Sequence, residues 1–65
     1  ARLLLALGRL CMRLQLWGKA QSYLEASLSV EPLRASHLEL AKLFEQLERT
    51  EDAHRHYLAA ATALA

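Results

Sequence analysis

Isoleucine is missing from this chain of 65 residues, and only three β-branched residues stand in it: Val30, Thr50 and Thr62. A strand-rich fold is excluded on propensity, because pleated sheets favour the residue types that are scarce here. Glycine and proline together number three, and a hydrophobic share of 54% excludes a disordered linker. Cys11 is the sole cysteine, so no internal disulfide forms and the redox compartment is left open. The longest early apolar stretch, Leu3 to Gly8, is broken by Arg9 and again by Arg13. It falls far short of the roughly 18–20 apolar residues a membrane span requires. Acidic residues are absent from positions 1–24, which hold Arg2, Arg9, Arg13 and Lys19.

What remains is 16 leucines and 12 alanines, the composition of one small all-helical unit near the lower size limit of a domain. The net charge is +1, which implies no global attraction to nucleic acid. The charge is nevertheless polarised, since residues 25–65 hold four basic against seven acidic residues. An apolar run starts almost at once after Ala1 without a capping residue, so the chain reads as a piece of a longer protein. Any targeting segment or anchor is then expected outside it.

Four helices are expected. Leu3, Leu7, Leu10 and Leu14 recur at helical spacing and predict the apolar stripe of the first, with Arg2, Arg9 and Arg13 on another face. Gln15 to Gly18 interrupts this helix. A second begins near Trp17 or Gly18, buries Ala20, Leu24, Ser27 and Leu28, and stops at Glu31-Pro32. Ser36-His37-Leu38-Glu39 fits a capping box for a third, whose apolar positions are Leu40, Leu43, Phe44 and Leu47. After the turn Glu48-Arg49-Thr50, with Thr50 as N-cap, a fourth buries Ala53, Tyr57, Ala60 and Leu64.

A shift of 33 residues lays one half of the chain on the other. Leu5 meets Leu38, Leu7 meets Leu40, Leu10 meets Leu43, Leu14 meets Leu47, Ala20 meets Ala53 and Ala26 meets Ala59. These six identities among 32 compared positions fall on the patterned faces, and a period of this length signals stacked helical hairpins. The predicted units are residues 1–33 and 34–65.

The repeat resembles the tetratricopeptide repeat, whose pattern is W-x₂-L-G-x₂-Y, then A-x₃-F, then P. The first copy reads Leu4-x₂-Leu7-Gly8-x₂-Cys11, Ala20-x₃-Leu24 and Pro32; the second reads His37-x₂-Leu40-Ala41-x₂-Phe44 and Ala53-x₃-Tyr57. Leu4 and His37 replace the expected aromatic, the second copy lacks the glycine, and the period is 33 rather than about 34. The resemblance implies an all-α fold of two helix-turn-helix units, four antiparallel helices in a short right-handed solenoid. Small residues at Gly8, Ala20, Ala41 and Ala53 would let the paired helices approach. More narrowly, Leu5–Cys11 with Leu16–Ser27 is similar to the C-terminal repeats of HemY-type proteins. Those are bacterial inner-membrane proteins associated with haem and porphyrin metabolism, which would place the parent at that membrane.

The tetratricopeptide resemblance implies that the first helix of each pair lines a concave surface that binds a protein or peptide. The lining would be Arg2, Leu5, Ala6, Arg9, Met12 and Arg13, then Leu38, Glu39, Lys42, Glu45 and Gln46. Spacing supports part of this independently: Arg2, Arg9 and Arg13 lie within about 40° around a helix axis. Such a row suits an acidic partner or an anionic lipid surface, and otherwise is a solvated face. Glu39 and Glu45 temper the field and favour a mixed-charge protein over nucleic acid. Some members clamp a terminal carboxylate with lysine and asparagine, but Leu5, Arg9 and Glu39 stand at those places.

No metal, cofactor or catalysis is implied. His54 and His56 project about 200° apart on a helix and cannot chelate one ion together. His37 reads as a packing residue, Cys11 as a buried hydrophobe, and Trp17 as packing under the hairpin. No nucleophile–base set or phosphate loop is present, so the chain reads as non-enzymatic. The expected function is a protein-interaction scaffold. The alternatives are a porphyrin or haem carrier, with the arginines on propionates, and a capping segment with no ligand of its own. Two hairpins would leave apolar ends, Leu3, Leu4 and Leu10 on one side and Tyr57, Leu58 and Leu64 on the other, so association through an end, or a neighbouring repeat in the parent chain, is expected.

Overall fold

The computed structural model describes residues 1–64 and contains four α-helices: α1 (Arg2–Arg13), α2 (Trp17–Val30), α3 (Arg34–Gln46) and α4 (Thr50–Thr62). The fold is all-helical, with α1 packed on α2, α3 on α4, and α3 set against both helices of the first hairpin. α4 touches only α3 among the described residues. Successive helices are antiparallel, because contacts pair early residues of one with late residues of the next. Ser27 of α2 reaches the Ala1 carbonyl and the Ser36 hydroxyl, and Arg34 of α3 reaches the Ala60 carbonyl of α4. It follows that α1 and α3 run in the same direction.

The two hairpins close in the same way. After α1, Gln15 adopts a left-handed φ of 59°, and after α3, Glu48 adopts 58°. Around each, the final carbonyls are satisfied by a Schellman arrangement. The Leu16 N–H donates to the Cys11 carbonyl at 2.9 Å and the Arg49 N–H to the Phe44 carbonyl at 2.8 Å. The Gln15 and Glu48 N–H groups donate to the Met12 and Glu45 carbonyls at 3.0 and 3.1 Å. Every one of these groups has its counterpart 33 positions along, so the internal repeat is a repeat of backbone geometry as well as of residues.

Leu24, Leu40 and Leu43 are fully buried, and Leu5, Leu33, Phe44 and Ala53 complete the core around them. Gly8 explains the closeness of α1 to α2. A Cβ there would lie 2.6 Å from Leu24 Cδ2, inside contact distance of a side chain with no room to retreat. Ala20, Ala41 and Ala53 are likewise buried at helix crossings.

Several expectations are corrected. In α1 the buried residues are Leu5, Gly8 and Cys11; Leu3 and Leu10 are 73% and 43% exposed, as expected of an apolar end, and Leu14 on the same stripe is 60% exposed. α1 has two apolar sides, and only the one facing α2 and α3 finds a neighbour. Ser36 caps nothing: α3 begins two residues earlier, and the Ser36 hydroxyl is buried, 2.9 Å from that of Ser27. Burial of the pair between α2 and α3 outweighs a local cap. Thr50 is the first residue of α4 rather than its cap, and Arg49 holds the cap position. Tyr57 is 37% exposed and Leu64 lies fully exposed beyond α4, because no element packs outside that helix. Pro32 acts as expected, with α2 ending at Val30 and Glu31 extended before the ring.

Candidate functional site

α1 supplies three basic residues on one side because Arg2, Arg9 and Arg13 are spaced by seven and four. The parallel setting of α3 brings a carboxylate to that side. Arg9 Nε lies 3.5 Å from Glu39 Oε2, and Lys42 Nζ lies 3.7 Å from the same oxygen. The Glu39 side chain is only 15% exposed, so it forms the floor of the arrangement, with the half-exposed Arg9 and Lys42 above it. Arg2 and Arg13 have no carboxylate within salt-bridge distance among the described residues.

An open groove follows, lined by Ala6, Arg9, Leu10, Met12, Arg13 and Glu39. It combines an apolar strip with two guanidinium groups and one partly neutralised carboxylate. This surface can accept a side chain or peptide segment that is acidic at one point and apolar at the next.

Of the residues assigned from sequence, the groove unites Ala6, Arg9, Met12, Arg13 and Glu39, with Lys42 joined through Glu39. Leu5 is absent from it, being 5% exposed and part of the core. Leu38 turns toward α4, where it lines a separate depression with Arg34, Tyr57, Ala60 and Ala61. Glu45 also faces α4 and accepts a hydrogen bond of 2.6 Å from the Tyr57 hydroxyl, which raises the tyrosine pKa. Arg2 and Gln46 are exposed outside the groove.

A second cluster went unread in the sequence. His37 of α3 and His56 of α4 meet through their Nδ1 atoms at 3.0 Å, and the His56 ring stacks on Phe44 with centroids 5.5 Å apart. The guanidinium of Arg49 covers Phe44 at 4.8 Å. One imidazole must donate and the other accept, so the pair is held together when at least one ring is neutral. Burial lowers the pKa of His37; burial and then the neighbouring His37 and Arg55 lower that of His56, against the weaker pull of Asp52 and Glu25. The only signal was register: 33 residues earlier stand Leu4 and Tyr23, both half-buried. No group of three or more His, Cys, Asp or Glu side chains among the described residues is arranged to hold a metal ion. Asp52, beside these rings, is bonded by Arg55 and lies 2.7 Å from Arg49, and these cations keep its carboxyl below the usual range.

No family model, curated protein or solved structure matches this chain. No helix among the described residues is long and apolar enough to cross a membrane.

Proposed function

We propose that this chain is a non-enzymatic protein-interaction module of tetratricopeptide type, whose α1–α3 groove takes an extended peptide segment bearing acidic and apolar residues. The observation that carries this reading is the convergence of Arg9, Met12 and Arg13 of α1 with Glu39 of α3 along one open groove. Glu39 engages Arg9 and leaves Arg13 for an incoming carboxylate, while Ala6, Leu10 and Met12 offer an adaptable apolar strip. Each exposed ion pair contributes about 0.2–1 kcal/mol, so recognition of this kind is modest and salt-sensitive. The similarity of Leu5–Cys11 and Leu16–Ser27 to HemY-type repeats supports placing the module in an inner-membrane protein linked to porphyrin metabolism.

The test is a titration of the isotope-labelled chain with a short glutamate-rich peptide carrying one leucine, followed by NMR. Shifts should concentrate on Ala6, Arg9, Leu10, Met12, Arg13 and Glu39. Arg13→Glu should weaken binding about tenfold, a loss of about 1.4 kcal/mol. Shifts confined to α4, or binding indifferent to Arg13→Glu and to salt, would overturn the reading.

A further inference from the structure

The repeat register identifies two unpartnered surfaces that fit each other. On α3, the stripe Ser36, Leu40, Leu43 and Leu47 is inserted against the first hairpin, the first three residues fully buried and Leu47 partly so. Moved back by 33 residues, this stripe is Leu3, Leu7, Leu10 and Leu14 on α1. Three of those leucines, Leu3, Leu10 and Leu14, are 73%, 43% and 60% exposed, while Leu7 is partly buried. α1 therefore presents the face by which α3 docks, with nothing docked on it.

The complementary surface lies at the other end. In the first hairpin Leu5 and Leu24 belong to the same core as Leu40 and Leu43 of α3, Ala1 and Leu28 pack at its edge with Met12 and Trp17, and Ser27 bonds Ser36 of α3. Five of these, Leu5, Leu24, Ala1, Leu28 and Ser27, have counterparts that lie together. The counterparts of these five residues in the second hairpin are Leu38, Tyr57, Arg34, Ala61 and Ala60. The same five line the open depression between α3 and α4. The internal joint carries two polar contacts: Ser27 to Ser36 becomes Ala60 to Leu3, which strands no hydroxyl, and the Arg9–Glu39 ion pair becomes Lys42 to Ala6, which leaves the lysine in solvent.

We infer that copies of this chain associate head to tail, the leucine stripe of α1 seating in the α3–α4 depression of the next copy. Charge is compatible with this polarity: the first hairpin is net basic, with four basic and two acidic residues, and the second is slightly acidic, with four basic and five acidic. The joint is heterologous, and it propagates into longer assemblies rather than stopping at a two-fold dimer. This inference does not rest on peptide binding in the groove, although Leu10 belongs to both surfaces.

Sedimentation of the whole chain over a concentration series tests it, using Leu14→Glu to block the leading face and Ala61→Glu to block the trailing one. Both positions are exposed, and each variant should keep its helical circular dichroism spectrum, which is the control for folding. The wild type should exceed the mass of a dimer as concentration rises, while each variant alone stays monomeric. An equimolar mixture of the variants should double in mass and stop there, because one intact joint remains between them. A wild type that stays monomeric at millimolar concentration overturns the inference. So does a variant that dimerises by itself, which marks a symmetric interface.

Discussion

Gln15 and Glu48 occupy equivalent places in the two hairpins and share one backbone conformation, with φ of 59° and 58°. Neither is glycine, although a side chain in the left-handed region costs about 1–2 kcal/mol. Glycine lacks that penalty but is freer in the unfolded chain. Gln15→Gly and Glu48→Gly should each therefore raise stability by about 0.5–1 kcal/mol, and the two gains should add because the turns are separate. Urea denaturation checks this through a higher midpoint at constant slope. Destabilisation by either substitution contradicts the shared turn geometry.

The two glycines within the helices should respond oppositely to alanine. At Gly8 the new methyl meets Leu24 Cδ2 and Cγ at 2.6 and 2.7 Å, whereas at Gly18 nothing lies within 4 Å. Overpacking costs about 1–3 kcal/mol and exceeds the gain of up to about 1 kcal/mol from helix propensity. Gly8→Ala should lower the melting temperature. Gly18→Ala, in the first turn of α2, should leave it unchanged or raise it slightly.

The histidine pair predicts a pH dependence. Both rings have pKa values below the usual imidazole value of about 6.5, so the unfolded chain takes up protons first as pH falls. The stability is complete above that value and is lost as pH drops toward the lower folded values. The melting temperature should decline between about pH 7.5 and pH 5.5, before the carboxylates titrate. His37→Leu with His56→Tyr restores the pair found at Leu4 and Tyr23 and should flatten the profile in this window. An unchanged slope would show that the two rings do not face each other in solution.

Ser36 offers a local test of how the hairpins join. Ser36→Ala removes its hydrogen bond to the buried Ser27 hydroxyl, which keeps the Ala1 carbonyl as acceptor. A loss of about 0.5–1.5 kcal/mol is expected. Ser29→Ala, on the exposed side of α2, should stay within about 0.5 kcal/mol of wild type.

Element type and order were legible because leucine spacing and Pro32 act locally. The buried residues of α2 and α3 were legible too, since each of those helices has packed neighbours on its apolar side. Periodicity alone shows that Leu3, Leu10, Leu14 and Tyr57 can be buried, not whether a partner is present; it was the count of two hairpins that marked Leu3, Leu10 and Tyr57 as uncovered ends. Ser36 misled for a related reason, as a hydroxyl three residues before a glutamate looks the same whether it caps a helix or meets Ser27 across an interface. The site was legible as a row of arginines with Glu39 nearby. Which residues turn toward α4, as Leu38 and Glu45 do, depends on the packing of α3 and is not encoded in spacing. The left-handed turns were hidden because Gln15 and Glu48 lack the glycine that usually marks them.

The account rests on α1 and α3 lying side by side and pointing the same way, and paired spin labels measure this directly. Labels at the exposed positions Arg13 and Gln46 should sit close together. Labels at Arg2 and Gln46 should be farther apart, by an axial offset of about 16 Å along the helix. A shorter Arg2–Gln46 than Arg13–Gln46 distance would mean antiparallel leading helices, and would remove the groove on which the proposed function depends.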